Sequence, residues 1–463
     1  MANSYLNKTF SGAPTNAKKG TISIWFKLAQ NDSSSNNYFR FFVTGADGSN
    51  RTDLNIVKPD ADVDSNDLAG RLYFSHIVSG TAYHWRTTRQ FRDMSAFYHL
   101  VVAYDTTQAS ASDRVKIYVN GSQETSFSAS ATIPQNTDLF FGNNSSAHHI
   151  GNSPHYSPRF FQGYMSHFAY VDGTALTPTS FGQTDSTSGI WKFKSPSGIT
   201  FGNNGVHLKF ENSGNLGLDS SGNSHNFTVN GNLKQALDTP SNVHINWNPL
   251  EVSSNSGRSF ANANTSGSIT SGNNGTMLGT IGVNNGKWYY EVKVTQSGAG
   301  GGSNARYGTI GFHDISKAID TPNDGLCILS DSRIRGQGGT TGSSGSAIWG
   351  SGDIIQLALD LDGGNLYVGK NGNWYDNNGN FNQTFSNSTA IFTSITTSKY
   401  WTPLCQKNVT ADNAQTFDAN FGNGFFGTTA ISSAGSNGNG SLFEYDVPSG
   451  YYALNTKNIN TYG

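Results

Sequence analysis

Apolar and polar residues alternate at every second position through much of this chain, the pattern of strands with one buried face. Ile22, Ile24, Phe26 and Leu28 line one side of a predicted strand, with Thr21, Ser23 and Lys27 on the other. Val115, Ile117 and Val119 repeat the pattern and stop at Asn120–Gly121, a pair suited to a two-residue hairpin turn because both positions need positive φ. Farther on, Trp288, Tyr290, Val292 and Val294 alternate with Tyr289, Glu291 and Lys293. Ile355, Leu357, Leu359 and Leu361 do the same and close on Gly363–Gly364–Asn365, after which Leu366 and Val368 lead to a turn at Asn371–Gly372. No long stretch repeats with a helical period. Thr177–Pro178–Thr179–Ser180–Phe181 predicts one short helical turn, with Thr as cap and Pro at the first position. The Ser/Asn/Gly-rich runs Ser253–Ser256 and Ala261–Gly275 read as a long loop. The pattern predicts an all-β chain.

At 463 residues the chain exceeds a single core. Three regions are predicted: a sandwich over 1–185, a connecting region with short strands over 186–245, and a second sandwich over 246–463. Charged residues make up only 13% of the chain, and Gly, Asn, Ser and Thr fill the gap, which favours turns over helices. Aromatic residues at 12% supply sandwich cores and argue against disorder. A formal net charge of −2 argues against broad binding to nucleic acid or to an anionic membrane. No apolar run approaches the roughly 20 residues of a membrane span. Met1–Ala2–Asn3–Ser4–Tyr5 lacks the basic and apolar regions of a signal peptide, so synthesis in a cytoplasm without conventional export is the expectation. Cys327 and Cys405 are expected as two buried free thiols.

Specific motifs refine the fold class. Tyr98–His99–Leu100–Val101–Val102–Ala103–Tyr104, Lys116–Ile117–Tyr118–Val119–Asn120–Gly121 and Phe161–Gln162–Gly163–Tyr164–Met165–Ser166 follow an early strand carrying Trp25. In this order the first region resembles a laminin-G/concanavalin-A-like lectin domain. Gly286–Lys287–Trp288–Tyr289–Tyr290–Glu291–Val292, Ile310–Gly311–Phe312, Trp401–Thr402–Pro403–Leu404 and Asn420–Phe421–Gly422 make the second region resemble a SPRY domain. The resemblances imply two antiparallel β-sandwiches of jelly-roll type, concanavalin-like then SPRY-like. The join (Thr174–Gly182, Gly189–Trp191, Leu218–Asn223, Asn248–Leu250) and the ending Phe443–Asn455 are similar to virion proteins of tailed, especially marine, bacteriophages. That resemblance implies a tail fibre, adhesin or capsid-attached fibre located on the virion. Its partners would be other virion proteins and a host-surface glycan or protein, with a homo-oligomer, in the manner of trimeric fibres, as the expected assembly. A purely structural decoration protein and a polysaccharide depolymerase are the rival readings.

No catalytic residue carries over from these resemblances. Concanavalin-like glucanases place paired carboxylates on one strand, and here Glu124, Glu211, Glu251, Glu291 and Glu444 stand far apart. Glu291 reads as an outward-facing strand residue. No cofactor is expected; calcium is the metal that the acidic run Asp60, Asp62, Asp64 and Asp67 would suit, although the run also reads as a solvated turn-capping loop. His148, His149, His155 and His167 are expected as loop histidines, not a zinc site. For a ligand, Tyr83, Trp85, Arg86 and Arg89 mix aromatic faces with guanidinium groups, as sugar recognition wants. Arg333, Arg335, Trp374 and Tyr375 are the corresponding candidates in the second sandwich.

Overall fold

The computed structural model describes residues 4–29, 38–57, 69–156, 159–251, 257–270, 275–296, 308–319, 325–336, 339–341, 347–376, 380–407 and 413–463. The chain divides into two compact units, Met1–Gln235 and Ala236–Gly463. Both are antiparallel β-sandwiches.

In the first unit the strands run in chain order β1 (Tyr5–Lys8), β2 (Lys19–Leu28), β3 (Tyr38–Asp47), β4 (Asn50–Val57), β5 (Arg71–Val78), β6 (Thr81–Gln90), β7 (Tyr98–Asp105) and β8 (Val115–Val119). They continue as β9 (Ser122–Gln123), β10 (Phe127–Ala131), β11 (His148–Ile150), β12 (Gly163–Asp172), β13 (Gly182–Thr184), β14 (Trp191–Phe193), β15 (Val206–Leu208) and β16 (Thr228–Asn230). One sheet has the order β10-β6-β5-β4-β3-β11-β1-β16 and the other β15-β12-β2-β7-β8-β9. Phe41, Leu54 and Phe74 from the first meet Ile24, Phe26 and Val102 from the second in one core. The β8–β9 hairpin turns on Asn120 (φ 48°) and Gly121 (φ 82°), as the sequence requires.

Two expectations need correction. The predicted connector is not a separate region: β15 and β16 are edge strands of the first unit's two sheets. Nor is β2 half-buried, since Thr21, Ser23 and Lys27 are as buried as its apolar side. The segment after β12 covers that outer face, packing Phe181 and Phe201 on Val101, Ala169 and Val171. The indole of Trp191 donates to His99 Nδ1 at 2.9 Å, so His99 Nε2 carries the proton and donates to Ser23 Oγ at 2.9 Å.

In the second unit Lys287–Gln296 lies between Ile354–Asp360 and Gln415–Asn420 in one sheet. Thr309–Asp314 lies between Gly325–Leu329 and Trp401–Lys407 in the other. Trp288, Tyr290, Leu357 and Leu359 pack against Ile310, Phe312 and Cys405 between them. Cys327 and Cys405 are buried and free, and burial pushes the Cys327 thiol up to about 12. Of the Ser/Asn/Gly-rich runs expected as a loop, Ser253–Ser256 lies outside the described residues, and the described part of Ala261–Gly275 instead belongs to the hairpin of Arg258–Ala261 with Ser266–Ile269. Small residues are needed there because a Cβ on Gly267 would lie 2.1 Å from Met277 Sδ. Its turn places Asn262, Ala263 and Asn264 all at positive φ. The short turn Pro178–Ser180 forms as expected, but the α-helix Thr456–Tyr462 was not anticipated. Two turns are too short to show a period, and Asn455 caps them by accepting from Asn458 N at 2.9 Å.

Candidate functional site

Strands β3 to β6 of the first unit turn one face to the core and the other outward. Phe39, Ile56, Leu72 and Trp85 point inward. A bulge between Arg40 and Phe42 sends both Phe41 and Phe42 into the core and leaves Arg40 outward. Strand register then sets Arg40 opposite Asn55, Asn55 opposite Tyr73, and Tyr73 opposite Arg86, one row across four strands. Tyr38, Arg51, Asp53 and Arg159 complete a cavity of about 140 Å³ around this row.

Asp53 organises the floor. Its Oδ1 accepts from Asn55 Nδ2 at 2.7 Å and Ser75 Oγ at 2.9 Å, and pairs with Arg40 Nη1 at 3.1 Å. Its Oδ2 accepts from Arg51 Nε at 2.6 Å. The guanidinium of Arg159 lies 4.7 Å from the Tyr38 ring centre and 4.3 Å from that of Tyr156. Arg86 lies 5.4 Å from Tyr73. These cation–ring contacts hold the charged groups beside aromatic faces, and Arg86 also hydrogen-bonds the Tyr73 side chain. Arg40 is only 3% exposed, and burial lowers its pKa from the ordinary value while Asp53 opposes that shift. Arg40 Nε, Arg86 Nε and Asn55 Oδ1 are buried and lack a hydrogen-bond partner among the described residues. Buried polar atoms are usually satisfied, so unpartnered ones gathered on residues that line one cavity make it a candidate for a polar guest.

Of the residues picked from sequence, Arg86 alone lines this cavity. Tyr83 packs against the core, and Trp85 lies within it, 5.9 Å from Phe74. Arg89 is held by Glu124 at 2.6 Å. Arg333 closes onto Asp331 at 2.6 Å, and Arg335 sits on a short strand opposite Cys327. Tyr375 packs on Phe381 at 5.3 Å. Asp60, Asp62, Asp64 and Asp67 lie outside the described residues. Among the described residues no group of His, Cys, Asp and Glu is placed to hold a metal. His148 and His149, expected in a loop, lie on β11: His148 Nε2 accepts from Gly142 N at 2.8 Å and His149 stacks on Tyr5. Sequence reasoning missed Tyr38, Arg40, Arg51, Asp53, Tyr73 and Arg159. For all but Arg159, which lies before β12, the signal was charged or aromatic residues at alternate positions facing away from Phe39, Leu54 and Phe74.

The second unit carries a larger groove of about 560 Å³, lined in part by Gln356, Trp374, Phe385, Glu444, Tyr445 and Asp446. Three of its polar side chains are turned to internal work. Gln356 Oε1 accepts from Gly372 N at 2.7 Å, Asp446 from Ser436 N at 2.6 Å, and Glu444 from Ser432 N at 2.7 Å. Trp374 is 4% exposed and packs edge-on against Phe385. Beneath the groove Glu291 points away from the main core, as expected, yet is fully buried because the segment carrying Phe443, Val447 and Tyr451 covers that face. It accepts from Tyr289 OH, Asn420 Nδ2, Glu444 N and Tyr445 N at 2.9–3.2 Å. Burial pushes its pKa up to about 7 in spite of those four donors.

Residues 3–181 match the family model of the concanavalin A-like lectin/glucanases superfamily. The first unit thus has the concanavalin-like lectin fold. No curated protein matches the chain. Among solved structures the chain is similar to the SPRY domain of human HERC1, at 16% identity over 37% of this chain and 96% of that one, with a TM-score of 0.26. It is similar to a SAP-like pentraxin from Limulus polyphemus at 15% identity over 38% of this chain and 72% of that one, TM-score 0.25. A tailspike protein 2 of an Escherichia coli O157:H7 bacteriophage shows 12% identity over 38% of this chain and 22% of its own, TM-score 0.26.

Proposed function

We propose that this is a non-enzymatic binding protein whose first unit takes a saccharide of a cell surface in the β3–β6 cavity. The observation that carries the reading is the row Arg40, Asn55, Tyr73 and Arg86, with two donors and one acceptor that have no partner among the described residues. Saccharide hydroxyls need that mixture of planar donors and acceptors. The family model matched by this unit is one of lectins and glucanases. A glucanase of the retaining class needs two carboxylates about 5 Å apart. Asp53 is the one carboxylate among the described lining residues, and two arginines already hold it, which supports binding over hydrolysis.

The motifs shared with tailed-phage virion proteins support a place on a virion, as a fibre or attached adhesin in contact with other virion proteins and the host surface. Many copies would then raise avidity without new contacts. The test is binding of bead-multimerised protein to a panel of bacterial cells, with and without periodate oxidation of their surface sugars. Strain-selective binding that periodate and Arg86→Ala both abolish is expected. Binding insensitive to both, or release of reducing ends from the cells, would overturn the reading.

A further inference from the structure

The cavity's charge says more about its guest. Arg40, Arg51, Arg86 and Arg159 line it against Asp53 as the sole carboxylate among the described lining residues. Arg51 is spent on Asp53 and on the Gly48 carbonyl. Arg40 meets Asp53 through Nη1, and neither Arg40 Nε nor Arg86 Nε has a partner among the described residues. Three positive charges are left uncompensated by the described lining of a small space, in a chain whose net charge is −2. Like charges held together and partly desolvated are costly unless an anion joins them. A neutral sugar would satisfy the hydrogen bonds but not the field. A cavity of about 140 Å³ is also small beside the roughly 300–1,000 Å³ of pockets that engulf a drug-sized ligand. It suits one charged sugar residue whose chain continues outside.

Resting on the saccharide reading above, we infer that the ligand is an acidic saccharide. Its carboxylate or sulfate oxygens accept from the Arg40 and Arg86 guanidinium groups, and one of its hydroxyls donates to Asn55 Oδ1. Arg159, held over Tyr38 and Tyr156, faces the same charge from the rim. Guanidinium forks match the two oxygens of such an anion in a way an ammonium does not.

The experiment measures binding of the full chain, displayed on beads, to polygalacturonate, dextran sulfate, carboxyl-reduced polygalacturonate and neutral dextran, at low and high salt. Binding to a charged polymer but not to its neutral counterpart, weakening with salt, is the expected result. Carboxylate and sulfate sources are told apart by which charged polymer binds. Arg86→Ala should weaken binding by about tenfold or more, and Arg86→Lys, which keeps the charge but loses the fork, nearly as much. Both variants should keep the wild-type melting profile. If neutral and carboxyl-reduced polymers bind as well as the acidic ones, the anion inference falls and the saccharide reading stands. If Arg86→Lys binds like wild type, charge alone is being sensed and the specific site falls. If no saccharide, acidic or neutral, binds here or on cells, the saccharide reading itself falls.

Discussion

The two units solve one problem alike and a second one differently. Each has a sheet whose outer face is apolar enough to need covering, and each covers it with an irregular segment. In the first, Phe181 and Phe201 pack on Val101 and Val171; in the second, Phe443 and Tyr451 pack around Tyr289 and Tyr367. In both, a buried carboxylate gathers backbone N–H groups of irregular segments: Asp172 from Thr15, Asn16 and Asn204, Glu291 from Glu444 and Tyr445. They differ in what is left unsatisfied. The groove of the second unit has its amide and carboxylates bonded internally, while the cavity of the first keeps buried donors and an acceptor open. Size and unsatisfied polar chemistry therefore rank the two differently: the groove is larger, and the cavity holds the unpartnered atoms among the described residues.

The largest expected effect that would sharpen this contrast comes with acid. Burial lowers His76, His149, His167 and His207 to about 4, and His99 and His148 to about 3, all in the first unit. The unfolded chain takes up protons on these rings below about 6.5, whereas the folded unit does not until near 4 or 3. Stability present above pH 6.5 is therefore lost as pH falls through that window. Setting aside the partly buried His167, the other five are worth on the order of 10 kcal/mol by pH 4, as much as a typical domain's stability of roughly 5–15 kcal/mol. Glu291 acts in the opposite sense in the second unit. Its folded pKa of about 7 lies above the ordinary glutamate value of 4.5, so its contribution grows as pH falls from 7 to 4.5. Calorimetry of the full chain between pH 7.5 and 4.5 should show one transition dropping steeply while the other holds or rises. Transitions that fall in parallel would break the contrast.

A smaller effect separates core from site within one strand. Trp85 and Arg86 are neighbours on β6 and face opposite sides of the sheet. Trp85→Ala should cost about 3–5 kcal/mol, read as a lower melting temperature of the first unit. Arg86→Ala removes a cation–ring contact and a side-chain hydrogen bond with Tyr73, so a stability change of about 1 kcal/mol is expected, with ligand binding lost. A large stability loss from Arg86→Ala would make the row a structural feature instead of a site.

Sequence reading found the sandwiches because their strands alternate and because Asn120–Gly121 and Asn371–Gly372 take the positive φ that hairpin turns need. It underestimated burial because polarity on the second face of β2 looked like solvent exposure, when Thr21, Ser23 and Lys27 are all buried and the segment after β12 bonds Thr21. The hairpin around Asn262–Asn264 was hidden by composition: Gly267 is small because Met277 and Trp247 crowd it, not because the chain loops there. The cavity was least legible. Local density of Arg and aromatic residues pointed to Tyr83–Arg92, yet only Arg86 there joins the lining. Its companions come from β3, β4, β5 and the segment before β12, and only register and a bulge bring them together.

The smallest effect tests the parallel between the two buried carboxylates. Asp172 Oδ2 accepts from Thr15 N and Asn204 N, whereas Oδ1 takes only Asn16 N, at 3.3 Å. Asp172→Asn can keep the first pair by aiming its amide oxygen there, and should cost about 1 kcal/mol. Glu291 has no such spare side, since Oε1 accepts from Tyr289 OH and Tyr445 N and Oε2 from Asn420 Nδ2 and Glu444 N. Either orientation of Glu291→Gln sets an amide NH₂ against two donors, so a loss of about 2–3 kcal/mol is expected. Hydrogen exchange should then accelerate at the amides of Glu444 and Tyr445, which bond the carboxylate in the native fold. The variant should also lose the acid-strengthened transition of its unit, because glutamine does not titrate. Equal costs at the two positions, with the pH response intact, would show that Glu291 is an ordinary loop anchor like Asp172 and that the second unit's response to acid lies elsewhere.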